Sequence, residues 1–453
     1  MDKDMKRAEG QRTIEALKGL LKGRPVEYEI FFSHDSGFGA DAKEGEIDAL
    51  KARSNAGVGL RTISNNRLGF GFSSVLTYDA LSDLVGKTLT GSRESSEDAF
   101  LGLPEYAALA KDADLGVYDE SYDMAAEEEK IRHAIDIEAA ALSYDLRVKR
   151  VRKASYNESV RYERIVNSKG VDAEHEATYF SGSVTAVAEE NDESQMGWDM
   201  ALGHLRKDVD PATVGRGAAE NAVRLLGARK LKSIKCPAIV ENVVACELLE
   251  ALAGSFLGDN VEKKRSMLIG KVGAKIASGA INIYDDGLKK GGWAASPFDG
   301  EGAGRQRTPL VVNGACQGYL YDTYWGRRAD RSSTGNATRS GFKSTPGVGI
   351  SNLYIENGAK SLPELKKELG NGLFVTEVLG VHTINTVTGD FSIGAAGLWI
   401  ENGGFAYPVR GLAVSGNLLD LFSRVGAVAS DIRFMGSIGA PSLLITEIEA
   451  SGQ

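Results

Sequence analysis

Residues that usually bind metals are scarce in this 453-residue sequence. It has five histidines, at positions 34, 133, 175, 204 and 382, and three cysteines, Cys236, Cys246 and Cys316. No two of them have the spacing of a C-x-x-C ribbon, an H-E-x-x-H helix or a local Cys/His finger. This excludes a metal site built from one short segment, so any histidine-based site must be assembled from distant parts of the chain.

Clustered positive charge and long apolar runs are also missing. Lys and Arg number 53 against 62 Asp and Glu, which gives a net charge of −9. A nucleic-acid binder needs a clustered cationic surface, and the basic stretch 147–153 alternates its charges like the solvated face of a strand. No apolar run is long enough to span a membrane, and the charged start has no apolar signal segment. With three free thiols, these features predict a cytoplasmic protein without nucleic-acid or membrane partners.

The first half of the chain contains two similar patterns of helix, alternating strands and helix. A chain of this length is expected to split into several domains. We predict one α+β unit over residues 1–98 and a second over 118–228, with the second a possible duplication of the first because 61–66 resembles 164–169. The predicted strands are 26–33, 44–52, 58–64 and 68–75 in the first unit, and 148–156, 160–166, 173–180 and 184–188 in the second.

Glycine is concentrated in the second half of the chain. Of the 54 glycines, 34 lie in residues 227–453, and Asn-Gly occurs at 313–314, 357–358, 371–372 and 402–403. Asn-Gly favours type I′ hairpin turns. Residues 232–453 are therefore predicted to form a larger β-rich C-terminal domain with a few helices, and the fold class is α+β.

Two attractive signatures fail on inspection. The run 335–344 resembles a phosphate-binding loop, but five residues separate its glycines and Phe342 stands where the lysine is required. His175-Glu176 begins like a zinc-protease helix, yet Tyr179 and Phe180 stand where a second histidine is needed. A flexible loop and a half-exposed strand histidine are the favoured interpretations.

The informative segment is 238–252, where an apolar strand runs directly into an apolar helix. Alone, it predicts a buried element with Cys246 as a small core residue. Further on come Ser296-Pro297-Phe298-Asp299-Gly300, then Thr388-Gly389-Asp390-Phe391, Leu398-Trp399-Ile400-Glu401-Asn402-Gly403 and Tyr407-Pro408-Val409. This ordered series resembles the TldD/PmbA family, once described as modulators of DNA gyrase and understood as metalloprotease subunits, and it is most similar to the PmbA (TldE) branch.

The resemblance implies where a zinc site would be. TldD-type subunits carry H-E-x-x-x-H at the strand-to-helix junction and a further cysteine ligand near the C-terminus. Matching the motif places Cys246 at the first histidine, Glu247 at the glutamate and Ala251 at the second histidine, and the segment 434–439 has no cysteine. Zinc hydrolysis needs about three protein ligands and an open position for water, so we expect no metal, cofactor or catalytic residue in this chain.

The leading hypothesis is therefore a metal-free subunit of a protease that acts on unfolded or small peptides. The resemblance implies a dimer, with a TldD-like subunit that carries zinc or with a second copy of this chain, around an internal chamber. Candidate chamber residues are Phe298, Asp299, Asp390 and Trp399, with turn and core packing as the alternative. An independent hydrolase with an unrecognised site, and a protein-binding modulator without protease activity, remain open at this point.

Overall fold

Residues 3–105 and 114–452 are described in the computed structural model of the chain, and they confirm the α+β class. No helix in these ranges is long and apolar enough to cross a membrane. The elements of the N-terminal region are α1 (Lys3–Leu21), β1 (Glu27–Lys43), β2 (Glu46–Ser64), β3 (Arg67–Ser73), α2 (Tyr78–Glu94), α3 (Glu127–Tyr144), β4 (Val148–Asn167), β5 (Asp172–Glu190), β6 (Glu193–Gly203) and α4 (Pro211–Val223), with short 3-10 turns at Tyr122–Met124 and Arg206–Asp208.

The six N-terminal strands form one continuous sheet in the order β3-β2-β1-β4-β5-β6. Each predicted unit thus contributes three strands, and the antiparallel β1–β4 pair at the centre joins them. The segments 61–66 and 164–169, whose similarity suggested a duplication, end β2 and β4, which hold different places in the two halves of the sheet. The duplication itself stays a prediction.

Several predicted strands are fragments of longer ones. The predicted strand 44–52, from residue 46 on, and the predicted strand 58–64 are both parts of β2, 148–156 and 160–166 are parts of β4, and 173–180 and 184–188 are parts of β5. Gly37 and Gly39, although glycines are typical of turns, lie inside β1. A side chain would not fit at Gly37, because its Cβ atom would lie 2.8 Å from the carbonyl oxygen of Glu158. A glycine in a strand often marks such a close backbone approach.

The C-terminal region contains a seven-stranded sheet in the order β18-β21-β8-β15-β16-β17-β7, a six-stranded sheet in the order β11-β10-β9-β14-β20-β19, and the pair β12-β13. Its strands are β7 (Arg229–Lys230), β8 (Ile234–Val240), β9 (Ile283–Asp286), β10 (Arg307–Val312), β11 (Ala315–Cys316), β12 (Ala337–Thr338), β13 (Gly347–Val348), β14 (Leu353–Ile355), β15 (Gly372–Leu379), β16 (Asp390–Glu401), β17 (Gly404–Asn417), β18 (Val425–Val428), β19 (Arg433–Met435), β20 (Ile438–Ala440) and β21 (Leu443–Ser451). Its helices are α5 (Asn242–Ala253), α6 (Gly258–Glu262), α7 (Thr323–Arg328), α8 (Leu362–Leu369) and α9 (Leu418–Ser423), with 3-10 turns at Gly254–Phe256 and Val381–Thr383.

Two of the four Asn-Gly pairs form the predicted hairpin turns. Asn313-Gly314 joins β10 to β11 and Asn402-Gly403 joins β16 to β17, with all four φ angles positive. The prediction is wrong at 357–358, which follows β14, and at 371–372, where the glycine opens β15. Neither of these two pairs lies between two strands that hydrogen-bond to each other, so neither closes a hairpin.

A buried ion network joins the N-terminal sheet to the C-terminal region. Arg61 on β2 donates to Glu29 Oε2 at 2.5 Å and to Glu301 Oε1 at 2.9 Å. Arg339 donates to the other carboxylate oxygen of Glu29, and the backbone N–H of Thr323 donates to Glu301 Oε2 at 3.0 Å. The four charged side chains are at most 8% exposed. Two cations and two anions therefore balance one another away from water.

Removing Arg61 tests this network. Arg61→Ala leaves two buried carboxylates without their shared cation, and we expect the free energy of unfolding to fall by about 3–5 kcal/mol. Lys87→Ala is the matched control, because Lys87 pairs with Asp83 at 2.7 Å on the exposed side of α2 and such pairs contribute at most about 1 kcal/mol. Urea denaturation followed by circular dichroism measures both, and equal losses would contradict a structural role for the network.

Candidate functional site

The strand-to-helix junction has the geometry that its sequence predicts. β8 ends at Val240 and α5 begins at Asn242, so the apolar strand leads directly into the apolar helix. A 3-10 turn that ends at Phe256 follows the helix. Burial explains the apolar composition, because α5 lies in the main core of the C-terminal region.

Cys246 points from α5 into that core. Its thiol lies 3.4 Å from the carbonyl oxygen of Arg433 and 3.7 Å from that of Ile438, so it contacts the segment in which the resemblance implies the cysteine ligand of TldD-type subunits, 434–439. Burial raises the pKa of Cys246 to about 12. The thiol is therefore a neutral donor to carbonyl groups, and a thiolate is what metal binding and nucleophilic attack require.

Glu247 faces a pocket of about 500 Å³ beside the junction. Burial, together with the nearby carboxylates of Glu250 and Glu377, raises its pKa to about 7. Ala251 lines the same pocket with a methyl group, which has no lone pair for a metal, and His382 at its rim is exposed. Within residues 3–105 and 114–452, no group of three or more His, Cys, Asp or Glu side chains is placed to hold a metal ion. The residues at the motif positions do not fit zinc.

The raised pKa of Glu247 has a testable consequence for stability. A carboxyl group whose pKa is higher in the folded state binds a proton more readily there, so its stabilising effect is complete below about pH 4.5 and lost as the pH rises to about 7. Glu247→Gln should therefore stabilise the protein by about 1 kcal/mol at pH 8 and by less at pH 5. Glu220→Gln on the exposed side of α4 is the control. Thermal melts at both pH values measure this, and a gain that does not depend on pH would contradict the assignment.

Burial also predicts that the cysteines are unreactive. Cys236, Cys246 and Cys316 are buried free thiols, and burial raises the pKa of each. Iodoacetamide at pH 8 should leave all three unmodified in the folded protein and modify all three in urea. Mass spectrometry counts the adducts. Rapid labelling of Cys246 in the folded protein would show that its thiolate is accessible.

A larger cavity, of about 540 Å³, lies between the N-terminal sheet and the C-terminal region. Its floor consists of Asn157, Ser159, Arg161 and Glu163, alternate residues of β4 that share one face of the strand. On β1, Gly37 pairs with Ser159 and contributes no side chain, which keeps the floor open. The other wall is formed by residues of the C-terminal region, namely Trp293, Ala294, Ala295, Ser296, Phe298, Asp299, Gly300, Arg305, Ala337, Thr338, Arg339 and Ile350.

Two of the predicted chamber residues line this cavity. Phe298 is buried against Phe31 and Phe342, and its ring meets that of His175 edge-on at 6.3 Å between centroids. Asp299 is also buried and accepts hydrogen bonds from the backbone N–H groups of Glu301, Ala303 and Ala337, at 2.9, 3.0 and 2.9 Å. Burial and the neighbouring Glu301 raise the pKa of Asp299 to about 6. Asp299 therefore holds the cavity wall in shape.

The other two predicted chamber residues lie elsewhere. Asp390, at the start of β16, is exposed and accepts hydrogen bonds from Asn417 Nδ2 at 2.9 Å and Thr388 Oγ1 at 2.8 Å. Trp399, near the end of the same strand, packs against the C-terminal core between β15 and β17. Neither side chain lines this cavity of the single chain, and whether they face a chamber in a dimer stays a prediction.

Sequence reasoning missed most of the cavity-lining charges. Arg161 and Glu163 lie in the predicted strand 160–166, which contains no functional motif, and Arg305 lies in a loop without a motif. His175, predicted to be a half-exposed strand histidine, lies on β5 facing the cavity. Burial, together with the charges of His204 and Arg305, lowers its pKa to about 4, so its ring is neutral at pH 7. In the sequence, the one pattern that points to these cavity-lining residues is the alternation of polar side chains along β4.

Comparisons with known proteins give the family. The profile of the PmbA/TldA metallopeptidase C-terminal domain matches residues 233–452, that of the central domain matches 122–226, and that of domain 1 matches 28–90. Metalloprotease PmbA of Escherichia coli O157:H7 is 30% identical over 458 residues, which cover 100% of this chain and 99% of that protein. A metalloprotease TldD homologue of Haemophilus influenzae is 23% identical and covers 97% and 96% of the two chains.

Solved structures agree with this result. A Thermotoga maritima protein that has been called a modulator of a DNA gyrase superposes with a TM-score of 0.88 at 27% identity, over 98% of this chain and 100% of that one. TldE from Thermococcus kodakarensis shares the fold, with a TM-score of 0.85 at 21% identity over 98% and 100% of the two chains. This chain belongs to the PmbA/TldD metallopeptidase family, which confirms the resemblance inferred from its sequence.

Proposed function

We propose that this chain is the non-catalytic, PmbA/TldE-type subunit of a metallopeptidase, working in a dimer with a TldD-type subunit that carries the zinc. The proposal rests on the residues that stand at the zinc-motif positions of the strand-to-helix junction. Its backbone is that of the family, but Cys246 is a neutral thiol facing carbonyl groups and Ala251 has no donor atom.

The chemistry of the remaining carboxylate supports the same conclusion. In zinc hydrolases a glutamate acts as a base because the metal lowers the pKa of the water it activates. Glu247 keeps the position of that base, yet its neighbours are Glu250 and Glu377, which further disfavour its ionised form. Without a metal, Glu247 has no activated water that could attack a peptide bond. In this proposal the partner therefore supplies the catalytic centre.

The sequence identities to known relatives support the assignment to the PmbA branch. The PmbA proteins of E. coli and H. influenzae are 30% and 29% identical to this chain, against 23% for the TldD homologue of H. influenzae. By this proposal the chain completes a peptide chamber in the dimer. The substrates are unfolded or small peptides, and no nucleic acid or membrane takes part.

Cleavage assays with glutamate variants on each subunit test the division of labour. The complex of this chain with a TldD-type subunit is incubated with an unstructured fluorogenic peptide. Cleavage should be unchanged by Glu247→Gln in this chain and abolished by the same replacement of the motif glutamate in the partner. Robust cleavage by the isolated chain that Glu247→Gln abolishes would overturn the proposal and support an independent hydrolase.

A further inference from the structure

The cavity between the N-terminal sheet and the C-terminal region contains an arginine with unused hydrogen-bonding capacity. We propose that Arg305 binds the free α-carboxylate of a short peptide that enters this cavity. The inference rests on the proposed function for the peptide class, and it adds a subsite that is separate from the pocket of Glu247.

Among the residues that the structure describes, hydrogen bonding of the Arg305 side chain involves one of its three nitrogens. Its Nε donates to the carbonyl oxygen of Phe298 at 3.1 Å. Nη1 is enclosed by protein and has no hydrogen-bond partner, and Arg305 makes no salt bridge with the residues described in the structure. Arg305 also lines the cavity. A ligand in the cavity can therefore supply the counter-charge that this guanidinium lacks.

The other cations around the cavity already have counter-charges, which sets Arg305 apart. Arg53 and Arg161 both contact Asp35, at 3.1 and 3.4 Å. Lys51 pairs with Asp41 at 2.9 Å, and Arg339 pairs with Glu29 in the ion network. An incoming anion would have to compete with these ion pairs, whereas Arg305 forms none with a described residue and acts on Glu163, Asp285 and Asp299 from a longer distance.

Three acids lie near Arg305. Burial raises the pKa of Glu163, although Arg161, Arg305 and Arg339 act in the other direction. Asp285 accepts hydrogen bonds from Ser351 and Asn336, Asp299 accepts them from three backbone N–H groups, as described above, and the nearby ring of His175 is neutral. Arg305 is thus the cavity-lining cation without an ion pair in the described part of the chain, and a guanidinium forms strong charge-assisted hydrogen bonds with a carboxylate.

The rest of the cavity fits a peptide better than a small inorganic anion. Its volume lies within the range of about 300–1,000 Å³ that is usual for ligand sites. Trp293 and Tyr179 form an aromatic wall, with ring centroids 5.0 Å apart, that can take an apolar side chain. The floor consists of β1 and β4, which are already paired on both edges, so strand addition is not available here. Recognition in this cavity therefore depends on side chains and on the carboxylate.

Binding of paired peptides to the isolated chain tests the assignment. The probes are a short peptide made resistant to cleavage by N-methylated bonds, its C-terminal amide, and acetate alone, and isothermal titration calorimetry measures each dissociation constant. A hydrogen-bonded charge contributes about 1.5–3 kcal/mol, so the free acid should bind at least about tenfold more tightly than the amide. Equal affinity for acid and amide would overturn the inference, and so would acetate binding as tightly as the peptide.

Variants assign the effect to Arg305. Arg305→Gln should remove the preference for the free acid, and Arg305→Lys should keep part of it because one cation remains. Arg307→Gln is the matched control, since Arg307 lies outside the cavity and pairs with Glu356 at 3.3 Å. An unchanged preference in a folded Arg305→Gln variant would contradict the assignment. The assay needs no partner and no cleavage. A negative result would therefore not contradict the proposed non-catalytic role of this chain, and a negative result in the cleavage assay would not contradict the carboxylate site at Arg305.

Discussion

The network of Arg61, Glu29, Glu301 and Arg339 determines how the two halves of the molecule meet. It connects β1 and β2 to loops of the C-terminal region, and its members are separated by up to 310 positions in the chain. Buried charges are tolerated only when they are paired and hydrogen-bonded. The geometry of the interface is therefore restricted to one arrangement, and that arrangement leaves the large cavity between the sheet and the loops.

The pocket of Glu247 and the larger cavity have different chemistry because their charges are compensated differently. Around Glu247 the carboxylates of Glu250 and Glu377 help to raise its pKa, and the one histidine among the described residues of this pocket, His382, is exposed at its rim. In the larger cavity most ion pairs are complete, and one guanidinium keeps unused donors. The first pocket lies at the motif positions but lacks the donor atoms for a metal. The second pocket contains Arg305, the proposed binding group for an anion.

Local patterns in the sequence predicted local structure well. The junction of β8 and α5 follows from its apolar run, and Asn402-Gly403 follows from turn chemistry. Strand lengths were underestimated, because polar residues such as 157–159 belong to a strand face that covers a cavity and not to a turn. The single sheet shared by both N-terminal units, and the pairing of Arg61 with Glu301, depend on tertiary contacts between distant segments. No local pattern in the sequence contains that information.

The central claim is that the donor set at the junction cannot hold zinc, although the backbone there belongs to a metallopeptidase family. Native mass spectrometry of the isolated chain, after incubation with excess zinc and removal of the unbound metal, tests this claim most directly. We predict that neither the wild type nor Glu247→Gln carries a zinc adduct, so that each is detected at the mass of its own metal-free chain. One zinc ion retained per chain, and lost in Glu247→Gln, would contradict it.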